Sequence, residues 1–123
     1  MLIDSNIIIY AAQTAYDDLR RFIAQNTPAV SAVSYVEVLG YHRLTEQDRQ
    51  YFEEFFAAAT ILPVSQDVLE QAVKLRQVRK MSLGDALIAG TALVFGRTLV
   101  TRNADHFRWI AGLPVLNPFE ADT

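Results

Sequence analysis

Short apolar runs alternate along the chain with longer segments in which apolar residues recur every three or four positions. The short runs are typical of buried strands, and the longer segments are typical of helices with one apolar face. The predicted strands span residues 1–3, 28–31, 61–64, 98–101 and 114–116. The predicted helices span residues 6–12, 17–24, 35–42, 45–59, 65–80 and 83–95, and a short helix is predicted at 105–110.

This alternation of strands and helices predicts a parallel sheet, because each helix returns the chain to the end of the sheet where the next strand begins. We therefore predict an α/β fold, with a central parallel sheet of about four to five strands and helices on both faces. With 123 residues and no repeat, linker or low-complexity segment, one domain over residues 1–123 is expected. In such sheets the active crevice lies at the carboxyl ends of the strands.

Composition narrows the chemistry that such a domain can carry. The chain has no cysteine, which excludes disulfides and thiolate metal sites. Its net charge of −3 argues against a protein that binds nucleic acid through bulk positive charge. The basic residues nevertheless form two clusters, which are either solvated helix faces or a basic rim around an acidic pocket: Lys74, Arg76, Arg79 and Lys80, and Arg97, Arg102, His106 and Arg108.

The beginning of the chain does not resemble a secretory signal. Polar residues follow at positions 4–6, and no basic segment precedes an apolar one. The longest apolar run is far shorter than the roughly 20 residues that cross a bilayer. We therefore expect a soluble, cytoplasmic protein that does not contact membranes.

Acidic and polar side chains fall at the ends of predicted strands or early in helices. Asp4 ends the first strand, Glu37 follows the second, and Asp85 opens the most apolar helix. Asn103 and Asp105 follow the fourth strand. Because the carboxyl ends of parallel strands meet at one edge of a sheet, these side chains can converge. Carboxylates that converge without basic partners repel one another, so such a cluster is tolerable mainly when a cation neutralises it.

Helix capping offers a purely structural explanation for the same three acids. Asp4 can cap the helix that follows the first strand. Residues 34–37 and 82–85 both fit the capping-box pattern of a Ser followed three residues later by an acid. Residues 45–48 carry the same pattern, although nothing suggests that Asp48 is functional. The local pattern alone therefore does not separate capping from chemistry.

The apolar surroundings of Glu37 and Asp85 favour a functional role. A carboxylate on a buried helix face is costly unless it is paired or binds a metal ion. No Lys or Arg lies one helical turn beyond Asp85, where Ala89 stands. Gly84, beside Asp85, would allow backbone, water or a ligand to come close.

Motifs of other familiar site types are absent. The sequence contains no phosphate-binding glycine loop of the common kinds and no G-x-S-x-G turn, and its two histidines lack metal-ligand spacing. A response-regulator receiver is also a doubly wound domain of this size. It requires an Asp at the end of the third strand and a Lys after the last one, and neither residues 61–65 nor 116–118 supply them.

Five segments along the chain form a recognisable set. They are residues 2–6 (LIDSN), 34–38 (SYVEV), 82–89 (SLGDALIA), 99–103 (LVTRN) followed by His106 and Phe107, and 112–118 (GLPVLNP). Together they resemble the PIN domain, and in particular toxins of the VapC type. The order and spacing of the segments agree over essentially the whole chain.

The resemblance implies that Asp4, Glu37 and Asp85 are the catalytic acids and the metal ligands, with Glu37 as either a ligand or a base acting through water. The accessory residues that it implies are Ser5, where the family often has Thr, Asn6 and Thr101. A hydroxyl of Ser5 or Thr101 would hold a water molecule or a phosphate oxygen.

The chain departs from the family at the fourth acid, whose position is occupied by Asn103. An Asn side chain can orient water through its carbonyl oxygen but contributes no charge. Asp105, two residues further on, is a candidate for the missing carboxylate. The number of metal ions, one or two, therefore stays open.

The activity that the resemblance implies is endoribonuclease hydrolysis of RNA phosphodiester bonds. Ligands that are all oxygen favour a hard cation, here Mg²⁺ or Mn²⁺. Arg102, Arg79 and Lys80 are predicted to contact the RNA backbone. The family also implies a homodimer and a VapB-like antitoxin partner, which the acidic net charge suits. The alternative is a catalytically silent PIN-fold binding module, which only Asn103 favours.

Overall fold

The computed structural model describes residues 1–120 of the chain. Its strands are β1 (Leu2–Ile3), β2 (Ala29–Ser31), β3 (Thr60–Leu62), β4 (Leu99–Val100) and β5 (Val115–Leu116). Its α-helices are α1 (Ser5–Ala11), α2 (Asp17–Asn26), α3 (Ala32–Leu39), α4 (Glu46–Ala58), α5 (Gln66–Val78) and α6 (Leu83–Val94). Two short 3₁₀ turns lie at Thr14–Tyr16 and Ala104–His106.

The five strands form one sheet in the order β3-β2-β1-β4-β5, and every neighbouring pair is parallel. The predicted α/β fold with a parallel sheet is therefore confirmed. In register, Ile3 of β1 lies between Val30 of β2 and Val100 of β4. The strand order reverses at β1, because the chain first builds β2 and β3 on one side and then β4 and β5 on the other. Ligand sites in open parallel sheets lie at the carboxyl ends of the strands at such a reversal.

The strands separate two apolar cores, because successive strand residues point to opposite faces of a sheet. One core contains Leu2, Ala29 and Leu99 together with residues of α5 and α6, among them Leu75 and Ile88. The other core contains the next residue of each of these strands, packed against α1, α2, α3 and α4: Ile3, Val30 and Val100, with Ile7, Leu19, Val38, Phe52 and Phe56. The predicted placement of helices on both faces is confirmed.

Two helices differ from their predicted boundaries by three residues or more, and the others by one or two. Helix α3 begins at Ala32 rather than Tyr35, since Ser31 ends β2 and also caps the helix, its hydroxyl accepting a hydrogen bond from the Val33 N–H at 3.1 Å. The sequence pattern did not show this start because strand and helix share one apolar run. The helix predicted at residues 105–110 is only the 3₁₀ turn Ala104–His106. No helix among residues 1–120 is long and apolar enough to cross a membrane.

Gly90 allows α5 and α6 to pack closely. A β-carbon at Gly90 would lie 3.0 Å from the Val68 carbonyl oxygen and 3.4 Å from the Ala72 amide nitrogen. We expect Gly90→Val to lower the free energy of unfolding by about 1–3 kcal/mol, because the two helix backbones must separate. Urea denaturation measures this change. Leu83→Val, at the exposed start of the same helix, should change the value by under about 0.5 kcal/mol; an equal effect of both variants would contradict the close packing.

Candidate active site

Asp4 lies where the strand order reverses, immediately after β1. One of its carboxylate oxygens, Oδ1, accepts a hydrogen bond from the Ser5 N–H at 2.7 Å, and Oδ2 accepts one from the Thr101 hydroxyl at 2.8 Å. Asp4 therefore caps α1, as the structural explanation proposed, and its side chain is only 6% exposed. Asp4 caps α1 and also lies at the carboxyl end of β1, so its capping role does not exclude a catalytic role.

Thr101 connects three parts of the chain around Asp4. Its fully buried hydroxyl donates its single proton to Asp4 and accepts hydrogen bonds from Asn6 Nδ2 at 3.4 Å and the Asn103 N–H at 3.1 Å. The structure thus brings Asn6 and Thr101 to Asp4. Because the Thr101 hydroxyl donates its proton to Asp4, it orients this carboxylate. The prediction was instead that this hydroxyl holds a water molecule or a phosphate oxygen.

Ser5 performs the same task for Glu37. The Ser5 hydroxyl donates a hydrogen bond to Glu37 Oε1 at 2.7 Å and lies 2.9 Å from the Ser34 hydroxyl, with which it is also hydrogen-bonded. Ser34 is fully buried and was not identified as a site residue from the sequence. Its place three residues before Glu37, on the same helix face, was the available signal.

The expectation that Glu37 lies on a buried face is wrong. Glu37 is exposed, and so are its neighbours Tyr35 and Val36. Their apolar character therefore reflects an uncovered surface of α3 rather than a core. The capping explanation for Glu37 is wrong as well, because Ser31 caps α3 and Ser34 lies inside the helix.

Asp85 is close to Glu37 through Gly84. A β-carbon at Gly84 would lie only 2.7 Å from Glu37 Oε2, so the absence of a side chain there lets this carboxylate lie against the start of α6. Ser82 caps α6, its hydroxyl accepting a hydrogen bond from the Asp85 N–H at 3.1 Å. The Asp85 side chain is 32% exposed, and His106 Nδ1 lies 3.9 Å from its Oδ2. The sequence did not assign His106 to the site; its proximity depends on the turn at Ala104–His106.

The two candidates for a fourth acidic position differ in their surroundings. Asn103 is exposed and contributes its backbone N–H to Thr101, as described above. Asp105 forms an ion pair with Arg108 at 2.8 Å, and its side chain is 91% exposed. The carboxylate of Asp105 is therefore paired with the Arg108 side chain at the protein surface.

Burial and neighbouring charges make ionised Asp4 costly. Burial, with smaller contributions from the charges of Asp85 and Glu37, raises the pKa of Asp4 to about 6, against the opposing hydrogen bonds from Thr101 and Ser5. Within residues 1–120, none of these three acids forms an ion pair with a Lys or Arg. A cation at this place would relieve the repulsion and favour the ionised form.

The three side chains supply carboxylate oxygens, the ligand type that a hard divalent cation prefers, and within residues 1–120 none of them is paired with a Lys or Arg. These three side chains do not, however, form a preformed metal site. Among the described residues, no three acidic or histidine side chains are arranged to hold one ion together. The role of Asp4, Glu37 and Asp85 as metal ligands therefore stays a prediction.

The basic residues predicted to contact RNA lie in two environments. Arg102 is stacked on the rings of Tyr10 and Phe119, each 4.6 Å from its guanidinium carbon, and so packs the end of the described chain against α1. Arg79 and Lys80 line a cavity that reaches Asp85. Of the three, Arg79 and Lys80 are thus placed beside the acidic site.

Comparison with known proteins gives a consistent result. The family model described as "PIN domain" matches residues 1–113. A toxin–antitoxin complex from Klebsiella pneumoniae contains a similar chain, with 29% sequence identity and a TM-score of 0.79, and the match covers 98% of both chains.

Two further structures show the same fold. A chain of VapBC2 from Rickettsia felis, bound to a DNA fragment from its promoter, has 23% identity and a TM-score of 0.81, covering 94% of this chain and 96% of that one. A chain of FitAcB from Neisseria gonorrhoeae has 20% identity and a TM-score of 0.79, covering 98% and 99%. None of the curated proteins matches the sequence.

Proposed function

The chain belongs to the PIN domain family, and from that premise we propose that it is a metal-dependent endoribonuclease that acts as the toxin of a VapBC-like toxin–antitoxin pair. The family match confirms the resemblance drawn from the sequence segments. The proposal of nuclease activity is based on the acidic residues at the carboxyl ends of the strands.

The observation that carries the proposal is the buried carboxylate of Asp4. It lies at the reversal of strand order, near two further acids, without a basic partner in residues 1–120. A purely structural acid does not need like charges beside it, and they raise its pKa. Perturbed acids in a crevice are typical of functional sites.

In the proposed mechanism, neighbouring residues orient the side chains of Asp4 and Glu37. Thr101 and the Ser5 N–H hold Asp4 in one orientation, and the Ser5 hydroxyl holds Glu37 through Oε1. Glu37 Oε2 is then the oxygen that accepts a proton from the attacking water. Asp4 and Asp85 would hold the cation, Mg²⁺ or Mn²⁺. When bound, the cation would supply positive charge that neutralises the phosphoryl oxygens.

The partner proposals rest on the family and on the solved structures. The Klebsiella pneumoniae structure is a toxin–antitoxin complex, and by analogy we propose a VapB-like antitoxin partner. We also propose a homodimer, which the resemblance to the family implies, and a cytoplasmic location. Apolar side chains on α3, α5 and α6 that are exposed in the single chain are consistent with protein partners: Tyr35, Val36, Leu69, Val73 and Leu83.

A catalytically silent binding module is the competing function. Asn103 in place of the fourth acid and the absence of a ready three-ligand cluster in residues 1–120 favour it. The three acids near one another argue against it, because a binding module gains nothing from their repulsion.

The test of the proposal is RNA cleavage by the purified protein. We expect mixed transfer, ribosomal and messenger RNA to be cut in Mg²⁺ or Mn²⁺ and to stay intact in EDTA. Cleavage that persists in EDTA would indicate a contaminating nuclease, and no cleavage under any condition would favour the binding module.

Gly84→Ala provides a test of how Glu37 is placed. The new β-carbon must displace Glu37 Oε2, which is the end of a flexible side chain, so the fold can accommodate it. We expect roughly tenfold slower cleavage, as for loss of a positioning contact, with no fall in the melting temperature. Gel-based cleavage rates and a thermal melt measure the two quantities. Unchanged cleavage would show that the position of Glu37 against α6 is not required.

A further inference from the structure

A cavity of about 730 Å³ opens beside Asp85, between the end of α5 and the turn at Ala104–His106. This volume lies within the usual range for small-ligand sites. The residues of the cavity that the argument uses are Arg76, Arg79, Lys80, Asp85, His106 and Trp109.

The cavity offers positive charge next to the acidic site. Within residues 1–120, none of Arg76, Arg79 and Lys80 forms an ion pair. Asp105, which lines the cavity together with Asp85, is paired with Arg108. The three cations are therefore available to an anionic ligand that extends away from Asp85.

The same cavity holds an aromatic stacking surface. The Arg79 guanidinium carbon lies 5.3 Å from the centre of the Trp109 ring. The Trp109 indole N–H donates to the His106 carbonyl oxygen at 2.8 Å, which fixes the ring, and the ring packs against the core. Nucleobases of single-stranded RNA stack on aromatic rings and on Arg guanidinium planes.

From these features we propose that the cavity is a binding subsite for one nucleotide of single-stranded RNA, adjoining the phosphodiester group at Asp85. The base stacks on the Arg79–Trp109 pair, and Lys80 and Arg76 contact the neighbouring phosphates. The subsite rests on the proposed nuclease function, to which it adds a place for one unpaired base, since a base within a duplex cannot reach a stacking surface inside a cavity.

Trp109 is the only tryptophan of the chain, so its fluorescence reports on this cavity alone. The experiment titrates the wild-type protein in EDTA, where metal-dependent cleavage does not occur, with a ten-nucleotide RNA of mixed sequence. We expect saturable quenching of the tryptophan emission, and none with the same RNA annealed to its complement. Binding without quenching, no binding, or equal quenching by the duplex would each overturn the subsite.

Lys80→Ala and Lys74→Ala form a matched pair, because each removes one positive charge and Lys74 lies on α5 outside the cavity. We expect Lys80→Ala to weaken binding roughly tenfold, the effect of losing one charge-assisted phosphate contact. Its salt dependence should fall by about 0.7 in logarithmic slope. Lys74→Ala should change neither quantity. Equal effects of the two variants would indicate non-specific electrostatic attraction of RNA and would contradict the subsite.

The subsite and the nuclease proposal can fail separately. Quenching by the single strand without cleavage in Mg²⁺ would keep the subsite and reject the nuclease. Cleavage in Mg²⁺ without quenching in EDTA would keep the nuclease and reject the subsite.

Discussion

Asp85→Asn should slow RNA cleavage by at least about 100-fold, because it removes charge from a proposed cation ligand while keeping the shape of the side chain. The cap of α6 survives the change, since the Ser82 hydroxyl accepts from the backbone N–H of residue 85 and not from its side chain. The fold should therefore be retained. Cleavage rates in Mg²⁺ and a circular dichroism spectrum measure both expectations.

Asp48→Asn is the matched control. Asp48 stands three residues after the cap Thr45, as Asp85 stands three residues after Ser82, and its N–H donates to the Thr45 hydroxyl at 3.2 Å. Both variants lose one negative charge in the first turn of a helix, which costs under about 1 kcal/mol of stability. Only Asp85→Asn should lose activity. Equal cleavage by the wild type and Asp85→Asn would contradict the proposed role of Asp85.

Asp4→Asn should make the metal-free protein more stable at pH 8, although it removes the activity. The native pKa of Asp4 is about 6, above the ordinary value of about 3.9 for an unfolded chain. A raised carboxyl pKa contributes stability at pH values below 3.9, and that stability is lost as the pH rises through 6. At pH 8 the ionised group costs about 3 kcal/mol. Asn should recover only about 1–2 kcal/mol of this, because its single carbonyl oxygen can accept only one of the hydrogen bonds from Ser5 and Thr101.

Urea denaturation in EDTA measures this gain, which should shrink as the pH falls from 8 toward 4. Asp67→Asn, an exposed acid in the first turn of α5, should change stability by under about 0.5 kcal/mol at every pH. Adding Mg²⁺ should stabilise the wild type and not Asp4→Asn, because only a ligand that binds the native state raises its stability. A less stable Asp4→Asn protein at pH 8 would mean that the hydrogen bonds of Asp4 outweigh the cost of its burial.

Most of the fold could be predicted from the sequence, because helix and strand periodicities are local properties. The alternation of elements indicated a parallel sheet, and all five strands lie within a few residues of their predicted places. The start of α3 could not be predicted, since β2 and α3 share an apolar run and only the geometry of Ser31 separates them. The strand order is likewise a property of the folded chain.

The sequence could predict acidic residue types at the strand ends, but not the surroundings of these residues in the fold. Asp4, Glu37 and Asp85 were recognisable because each acid follows a predicted strand or opens a predicted helix, and the resemblance to a family implied a joint role for them. The exposure of Glu37 was missed because an apolar neighbour in sequence can belong to an uncovered surface as well as to a core. Ser34 and His106 were missed because their contacts join residues far apart in the chain.

The sequence by itself determined the fold class, the acidic character of the site and the departure at Asn103, because these follow from residue types and local patterns. The tertiary structure alone decided that Thr101 orients Asp4 across the β1–β4 junction, that Gly84 admits the carboxylate of Glu37, and that three cations and Trp109 meet in one cavity beside Asp85. The physical reason is that hydrogen bonds and close approaches depend on distances between separate elements, and only packing sets those distances.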